Sequence, residues 1–325
     1  MKSLKNVGEF GLIENIKSWI DSKDLKSDDN VIGIGDDAAV IKNFSSSLLT
    51  SIDTLVEGTH FTTDITSFYE LGWKALAVNI SDIAAMGAIP KYALISFACP
   101  EGTKIEDLQQ FYFGFQELSK LAGVKLIGGD TVKTIEKIVV SVSIIGETIN
   151  GNYFLRSSAK VGDYVCATGT FGDAAVGLQQ LLNDKSVKNY FTERFNTPMP
   201  RFKEAKILGE KNLANAMIDV SDGLVFSLYE IAEKSKLGIV LEQSKIPISK
   251  EIKKLDNCLD FALYGGEDYE LVFSVSEDKI DEVMNNIGLK NVSIIGKVSD
   301  HFQGVKMKSE NGELKILAKK GYSAF

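Results

Sequence analysis

The chain has 325 residues, 44% of them apolar and 25% charged, and carries a net charge of −8. That length admits two domains with separate cores, and that charge argues against the basic face that nucleic acid or an anionic membrane surface requires. No uncharged run approaches the roughly 20 residues of a membrane span. The opening MKSLKNVGEFGLIE lacks an apolar signal core, and Cys99, Cys166 and Cys258 read as reduced thiols, so a cytoplasmic protein is expected.

A helix is predicted over 9–21, then strand-like runs at 31–34 and 38–41. Between those runs, VIGIGDDAAV holds Asp36 and Asp37, where Asp suits a turn and a site equally. The strand predicted over 48–56, LLTSIDTLV, has Asp53 in the middle of an apolar run, where turn chemistry does not explain it. The helix predicted over 67–87 is apolar on most sides and contains small Ala75, Ala77, Ala84 and Ala85, which places it between layers. Its polar members Asn79, Ser81 and Asp82 stand out. Asn79 and Asp82 are three apart and share a face, read here as ligand-bearing. After a strand at 92–98, the helix over 105–122 sets Leu108, Phe111, Phe115, Leu118 and Leu121 on one buried stripe. A strand at 124–128 runs into Gly128-Gly129-Asp130-Thr131, read as a turn that serves either a ligand approach or a plain reversal. A strand over 138–147 completes this half.

The polar, Gly-containing stretch over 148–162 mostly lacks periodicity and marks a boundary, giving domains at 1–149 and 150–325. Beyond it, strands near 163–168, 216–219, 238–242, 270–275 and 291–298 alternate with helices near 173–183, 201–212, 224–236 and 278–287. AMIDVSDGL brings Asp219 and Asp222 to the end of one strand, with Ser221 or Asp222 expected to cap the next helix. GGEDYEL adds Glu267 and Asp268. There is no P-loop and no dinucleotide fingerprint, and with His60 and His301 as the histidines a His-rich zinc site is not expected.

Most of these acidic stretches share one setting, an apolar β-prone run ending in Gly or Ser and then Asp. The arginines are Arg156, Arg194 and Arg201, and none of these stretches carries a Lys beside its Asp. Carboxylates gathered in a cleft need cations, and hard oxygen donors suit Mg²⁺. Metal-bridged polyphosphate is the reading that uses them all.

Taken in order, GIGDDAAV, SIDTLVEGTHF, NISDIAAMGAIP, IGGDT, MIDVSDGL and GGEDYEL resemble the thiamine-monophosphate kinase family. That family belongs with aminoimidazole ribonucleotide synthetase and selenophosphate synthetase, and the resemblance runs from Glu9 nearly to the C-terminus. It implies an α/β (α+β) two-domain fold and a homodimer whose N-terminal sheets pair into a barrel. It also implies ATP-dependent phosphorylation of thiamine monophosphate with several Mg²⁺ ions. Carried over, Asp37, Ser51, Asp53, Asp82, Asp130, Asp219 and Asp222 are metal ligands, with Asp36 the alternative to Asp37. Tyr112, Gly129, Asp130, Arg156 and Ser221 meet ATP, while His60, Glu267 and Tyr322 line the substrate pocket. The family often ends Gly-aromatic-Asp-His-Phe, whereas this chain has Gly321-Tyr322-Ser323-Ala324-Phe325. Two other readings stand beside this one: another ATP-dependent enzyme of the superfamily, and a non-catalytic nucleotide- or metal-binding regulator.

Overall fold

Two sheets and the helix between them position the acidic segments of the chain. The computed structural model describes residues 31–32, 39–41, 46–288 and 291–322. The predicted helix over 9–21, Asp36, Asp37 and residues 323–325 lie outside them.

The first sheet contains β1 (Val31–Ile32), β2 (Ala39–Ile41), β3 (Leu48–Val56), β4 (Ile89–Pro100), β5 (Lys125–Thr134) and β6 (Val139–Glu147), in the spatial order β1-β2-β3-β6-β4-β5. β4 and β5 are parallel and the other pairs antiparallel. In β6 the buried residues alternate strictly, Val140, Val142 and Ile144 facing in. In β3 the same period puts Leu49, Ser51, Asp53 and Leu55 on one face and leaves Ile52, 62% exposed, on the other. The inner face packs on α1 (Phe68–Ala85).

Helix α1 starts at a capping box in which the Ser67 hydroxyl accepts from the Glu70 N–H and Glu70 accepts from the Ser67 N–H. Its apolar residues enter two cores. Leu71, Leu76, Ile80 and Ile83 pack under the first sheet, while Ala84 and Ala85 join the second half's core beside Leu208 and Met217. Against it lies α2 (Ile105–Ala122). The two helices cross at glycines on both sides: a Cβ on Gly72 would sit 1.8 Å from Phe111 O, and one on Gly114 1.9 Å from Tyr69 O. The expected stripe of α2 holds at Phe111, Phe115 and Leu118, which are fully buried. It fails at Leu121, 51% exposed where the last turn runs past the core.

The second sheet runs β13-β12-β9-β11-β7-β10-β8, from β7 (Tyr164–Thr168), β8 (Met217–Val220), β9 (Gly238–Glu242), β10 (Glu270–Val275), β11 (Val292–Ser299), β12 (Gly304–Lys308) and β13 (Leu314–Ile316). Despite the alternation of strands and helices in sequence, every pairing except β9–β12 is antiparallel. Helices α3 (Asp173–Asn183), α5 (Phe202–Lys211), α6 (Leu224–Ser235) and α8 (Ile280–Ile287) stand where the sequence places them. Short α4 (Tyr190–Asn196) and α7 (Cys258–Tyr264) are additional. Among the described residues no helix is long and apolar enough to cross a membrane.

Candidate active site

Four polar side chains on α1 organise the junction between the two halves. Asn79 accepts from the Asp53 N–H at 3.1 Å through Oδ1 and donates to Ala75 O at 2.9 Å through Nδ2. Both ends of this buried amide are engaged with protein, so the ligand-bearing reading of Asn79 gives way to one in which it fixes Asp53. Ser81 Oγ donates to Asp219 Oδ2 at 2.6 Å, reaching from α1 to β8. Ser51 Oγ donates to Asp82 Oδ2 at 2.5 Å. Lys74, fully buried, pairs with Glu267.

The resulting cavity holds about 530 Å³. Asp53 and Asp82 line it from the first half, and Asp219, Ser221, Asp222, Glu267 and Tyr322 from the second, with His60, Phe61 and Phe195 on its walls. Backbone bonds strap these segments together. The Glu267 N–H donates to Ser221 O at 2.7 Å, the Tyr269 N–H to Val220 O at 2.9 Å, and the Tyr322 N–H to Asp222 O at 3.3 Å. His60 Nδ1 accepts from the Val56 N–H at 3.0 Å, which leaves Nε2 as the ring's donor. The N-cap of α6 falls on Gly223, at φ +112, and not on Ser221 or Asp222. A Cβ there would come within 3.0 Å of Tyr264 O, so the tight turn selects glycine.

The field in the cavity is negative. Burial first, and then the charges of Glu267, Asp53, Asp219 and Asp222, push the Tyr269 phenol well above its ordinary range. Among the described residues no three His, Cys, Asp or Glu side chains form a ready metal cage. The donors are nonetheless of the kind Mg²⁺ takes, since that ion usually keeps several waters and binds through one or two carboxylates together with substrate phosphates.

Family models match on both sides of this junction: AIR synthase related protein, N-terminal domain, over residues 35–148, and the corresponding C-terminal domain over 160–307. The chain is 40% identical over 304 residues to the thiamine-monophosphate kinase of Bacillus subtilis (strain 168), covering 90% of this chain and 93% of that protein. It is 38% identical to the one from Buchnera aphidicola subsp. Acyrthosiphon pisum, covering 96% and 98%. The chain belongs to the thiamine-monophosphate kinase family. Its fold is the two-domain α+β fold of that family. It superimposes with a TM-score of 0.87 on a solved structure of AaThiL complexed with AMPPCP and TMP, which is 34% identical and covered to 99%, with all of this chain aligned.

Several residues carried over from the thiamine-monophosphate kinase motifs are not among those lining the cavity. Gly129 and Asp130 sit within β5, not in a turn, because β5 continues to Thr134 alongside β4. A Cβ on Gly129 would stand 2.0 Å from Ile95 O, so this glycine admits the neighbouring strand's backbone. Asp130 is exposed, its Oδ1 accepting from the Thr131 N–H at 2.8 Å. Tyr112 stacks edge-on against Phe111, and burial raises its phenol. Arg156 lies 3.8 Å from Glu230. Arg194 and Arg201 are spent on buried Glu270: Arg201 binds both its oxygens at 2.5 Å, and Arg194 binds one at 2.9 Å. Burial works against that carboxylate, but the two guanidiniums and the Thr168 hydroxyl outweigh it and hold its pKa below the usual range.

Sequence reasoning missed Lys74. It is a charged residue in an apolar helix, at i, i+4 and i+7 with Val78 and Ser81, so it shares their face. That spacing was the available signal.

Proposed function

We propose that this protein transfers the γ-phosphoryl group of ATP to thiamine monophosphate, forming thiamine diphosphate. The observation that carries this reading is the single cavity in which Asp53, Asp82, Asp219, Asp222 and Glu267 meet from both halves of the chain. Similarity to thiamine-monophosphate kinases over nearly the whole length supports the choice of substrates. Asp53, Asp82, Asp219 and Asp222 would hold Mg²⁺, with Ser51, Asp37 and Asp130 completing the proposed donor set.

The acceptor is a phosphate oxygen, already ionised at neutral pH, so no side chain is needed as a general base. The obstacle is repulsion between two polyanions. One pair of unit charges about 4 Å apart costs roughly 4 kcal/mol at an effective dielectric near 20. When bound, Mg²⁺ would supply the compensating charge and stabilise the transferring group. Ser81, Asn79 and Ser51 keep the carboxylates in place for it. The transfer is direct and in line, without a phosphoenzyme. His60, Glu267 and Tyr322 receive the thiamine monophosphate. Tyr112, Gly129, Asp130, Arg156 and Ser221 form the ATP set.

The open face of the first sheet carries exposed Ile52, Tyr92 and Leu94, an apolar surface that supports pairing of two copies. The division at residue 149 belongs to the same proposal, each sheet drawing its strands from one side of it.

The test is direct. The purified chain is incubated with Mg²⁺, ATP and thiamine monophosphate, and ADP and thiamine diphosphate are quantified by chromatography. Equimolar products are expected, and Asp53→Asn should abolish them without lowering the melting temperature. Absence of thiamine diphosphate from the wild-type reaction overturns the assignment. A covalently phosphorylated protein on the reaction path overturns in-line transfer.

A further inference from the structure

Lys74 is a buried charge beside the cavity that the proposed chemistry leaves unused. Its residue exposure is 0%, and its Nζ sits 3.7 Å from the centroid of the Phe195 ring and in ion-pair contact with Glu267 Oε2. Both neighbours line the cavity, and Lys74 lies behind them. A buried ammonium is costly unless it is paired, and so is a carboxylate set among other carboxylates. Glu267 shares its surroundings with Asp53, Asp219 and Asp222, whose charges all reach Tyr269.

The backbone of Glu267 is already constrained. It adopts φ +70, and its N–H is tied to Ser221 O. With Oε2 held by Lys74, Oε1 keeps a long 3.5 Å contact with the Tyr269 hydroxyl. The side chain is 28% exposed at the cavity wall. Main chain and one carboxylate oxygen are thus fixed by protein, and the second oxygen is available to a bound molecule. Without Lys74, Glu267 loses its ion-pair partner and with it the constraint on Oε2.

We infer that Lys74 is a positioning residue for thiamine monophosphate, acting through Glu267 and not by touching the substrate. The inference rests on the proposed reading of the cavity and adds to it a residue and a mode of action. It predicts a specific coupling. Lys74→Met and Glu267→Gln should each raise the KM for thiamine monophosphate about tenfold, the scale of one lost charge-assisted hydrogen bond. The KM for ATP should stay within about twofold, because in this reading Glu267 receives thiamine monophosphate and is not in the ATP set. The double variant Lys74→Met/Glu267→Gln should resemble the single variants, not their product of about a hundredfold.

The experiment is steady-state kinetics on the full chain at saturating Mg²⁺ and ATP, with calorimetric titration of thiamine monophosphate as a second readout. An unchanged KM in folded Lys74→Met overturns the inference, as does a double variant showing the product of the two effects. A purely structural lysine would lower the melting temperature and leave the KM of the folded fraction alone. If Lys74→Met does not fold, the double variant strands no charge and is compared with Glu267→Gln. Equal KM values support the coupling, and a further tenfold rise overturns it. A wild-type chain that neither binds nor phosphorylates thiamine monophosphate removes the functional reading and this inference with it, before any variant is compared.

Discussion

Ser81→Ala isolates one bond between the halves of the site. Ser81 and Asp219 are both buried, their contact is 2.6 Å, and the acceptor is a carboxylate. A hydrogen bond to a charged group contributes roughly 1.5–3 kcal/mol, and alanine leaves the Asp219 oxygen without this donor. The Asp219 carbonyl still accepts from Ser227 Oγ at 3.0 Å, so the strand stays in place while the carboxylate loosens. Two effects should follow. Urea unfolding should show a loss of about 1.5–3 kcal/mol. The Mg²⁺ concentration for half-maximal activity should rise about 10- to 100-fold, the usual consequence of removing a group that orients a metal ligand. Superimposable Mg²⁺ activation curves for wild type and variant would refute the claim that α1 positions Asp219 for metal. An unchanged urea midpoint would refute the strength assigned to the bond.

Two further predictions concern the scaffold. Gly114→Ala would put a Cβ 1.9 Å from Tyr69 O, so α1 and α2 must separate by about 1.5 Å to reach ordinary contact. A net loss of about 1–3 kcal/mol is expected in urea unfolding, and a variant as stable as wild type would mean the crossing is looser than described. Asp268 accepts from the Gly172 and Ala174 N–H groups at the start of α3. Burial nevertheless raises its carboxyl to about 8, against the pull of the Gly172 N–H, Arg194 and the Ala174 N–H. In the unfolded chain this group titrates near 4. Between those values the folded state holds a proton that the unfolded state does not, so its contribution to stability is full below about pH 4 and is lost as the pH rises through about 8. Asp268→Asn should flatten that decline in a melting-temperature series from pH 5 to 9, and an unaltered slope would count against it.

The parts of the fold that the sequence foretold are those where one period decides burial. β3, α2 and α3 match their predicted ranges to the residue. Helix α4 was not foretold, because seven residues carry too few turns for a period. Its visible mark is the Asn189–Thr192 capping box. In β12, Val305 and Met307 alternate with Lys306 and Lys308, a readable but short signal, whereas β13 is exposed throughout and offers none. At the site, Asp53 was legible because a carboxylate within an apolar strand has no local excuse. Asp130 misled in its local structure, since Gly-Gly-Asp suits a turn and yet here continues a strand. The glycine is required by the neighbouring Ile95 carbonyl, a partner distant in sequence. Lys74 escaped for the same reason. Its counter-ion lies in the other half of the chain, and nothing adjacent to either residue announces the pair.

The position of these bonds on α1 has a mechanical consequence. Lys74, Asn79, Ser81 and Asp82 address Glu267, Asp53, Asp219 and Ser51 in turn, so one rigid helix sets the spacing of acidic segments drawn from both sheets. A helix does not stretch between these positions, and the carboxylates are therefore held against their mutual repulsion by a common frame instead of by each other. The frame is itself anchored at Gly72 and Gly114, at the Ser67–Glu70 box, and by Trp73 Nε1 donating to Pro198 O at 2.7 Å. A change at the crossing with α2 consequently moves all the acidic groups together. It should weaken Mg²⁺ use and substrate binding in parallel, whereas a change at Ser81 or Lys74 separates the two.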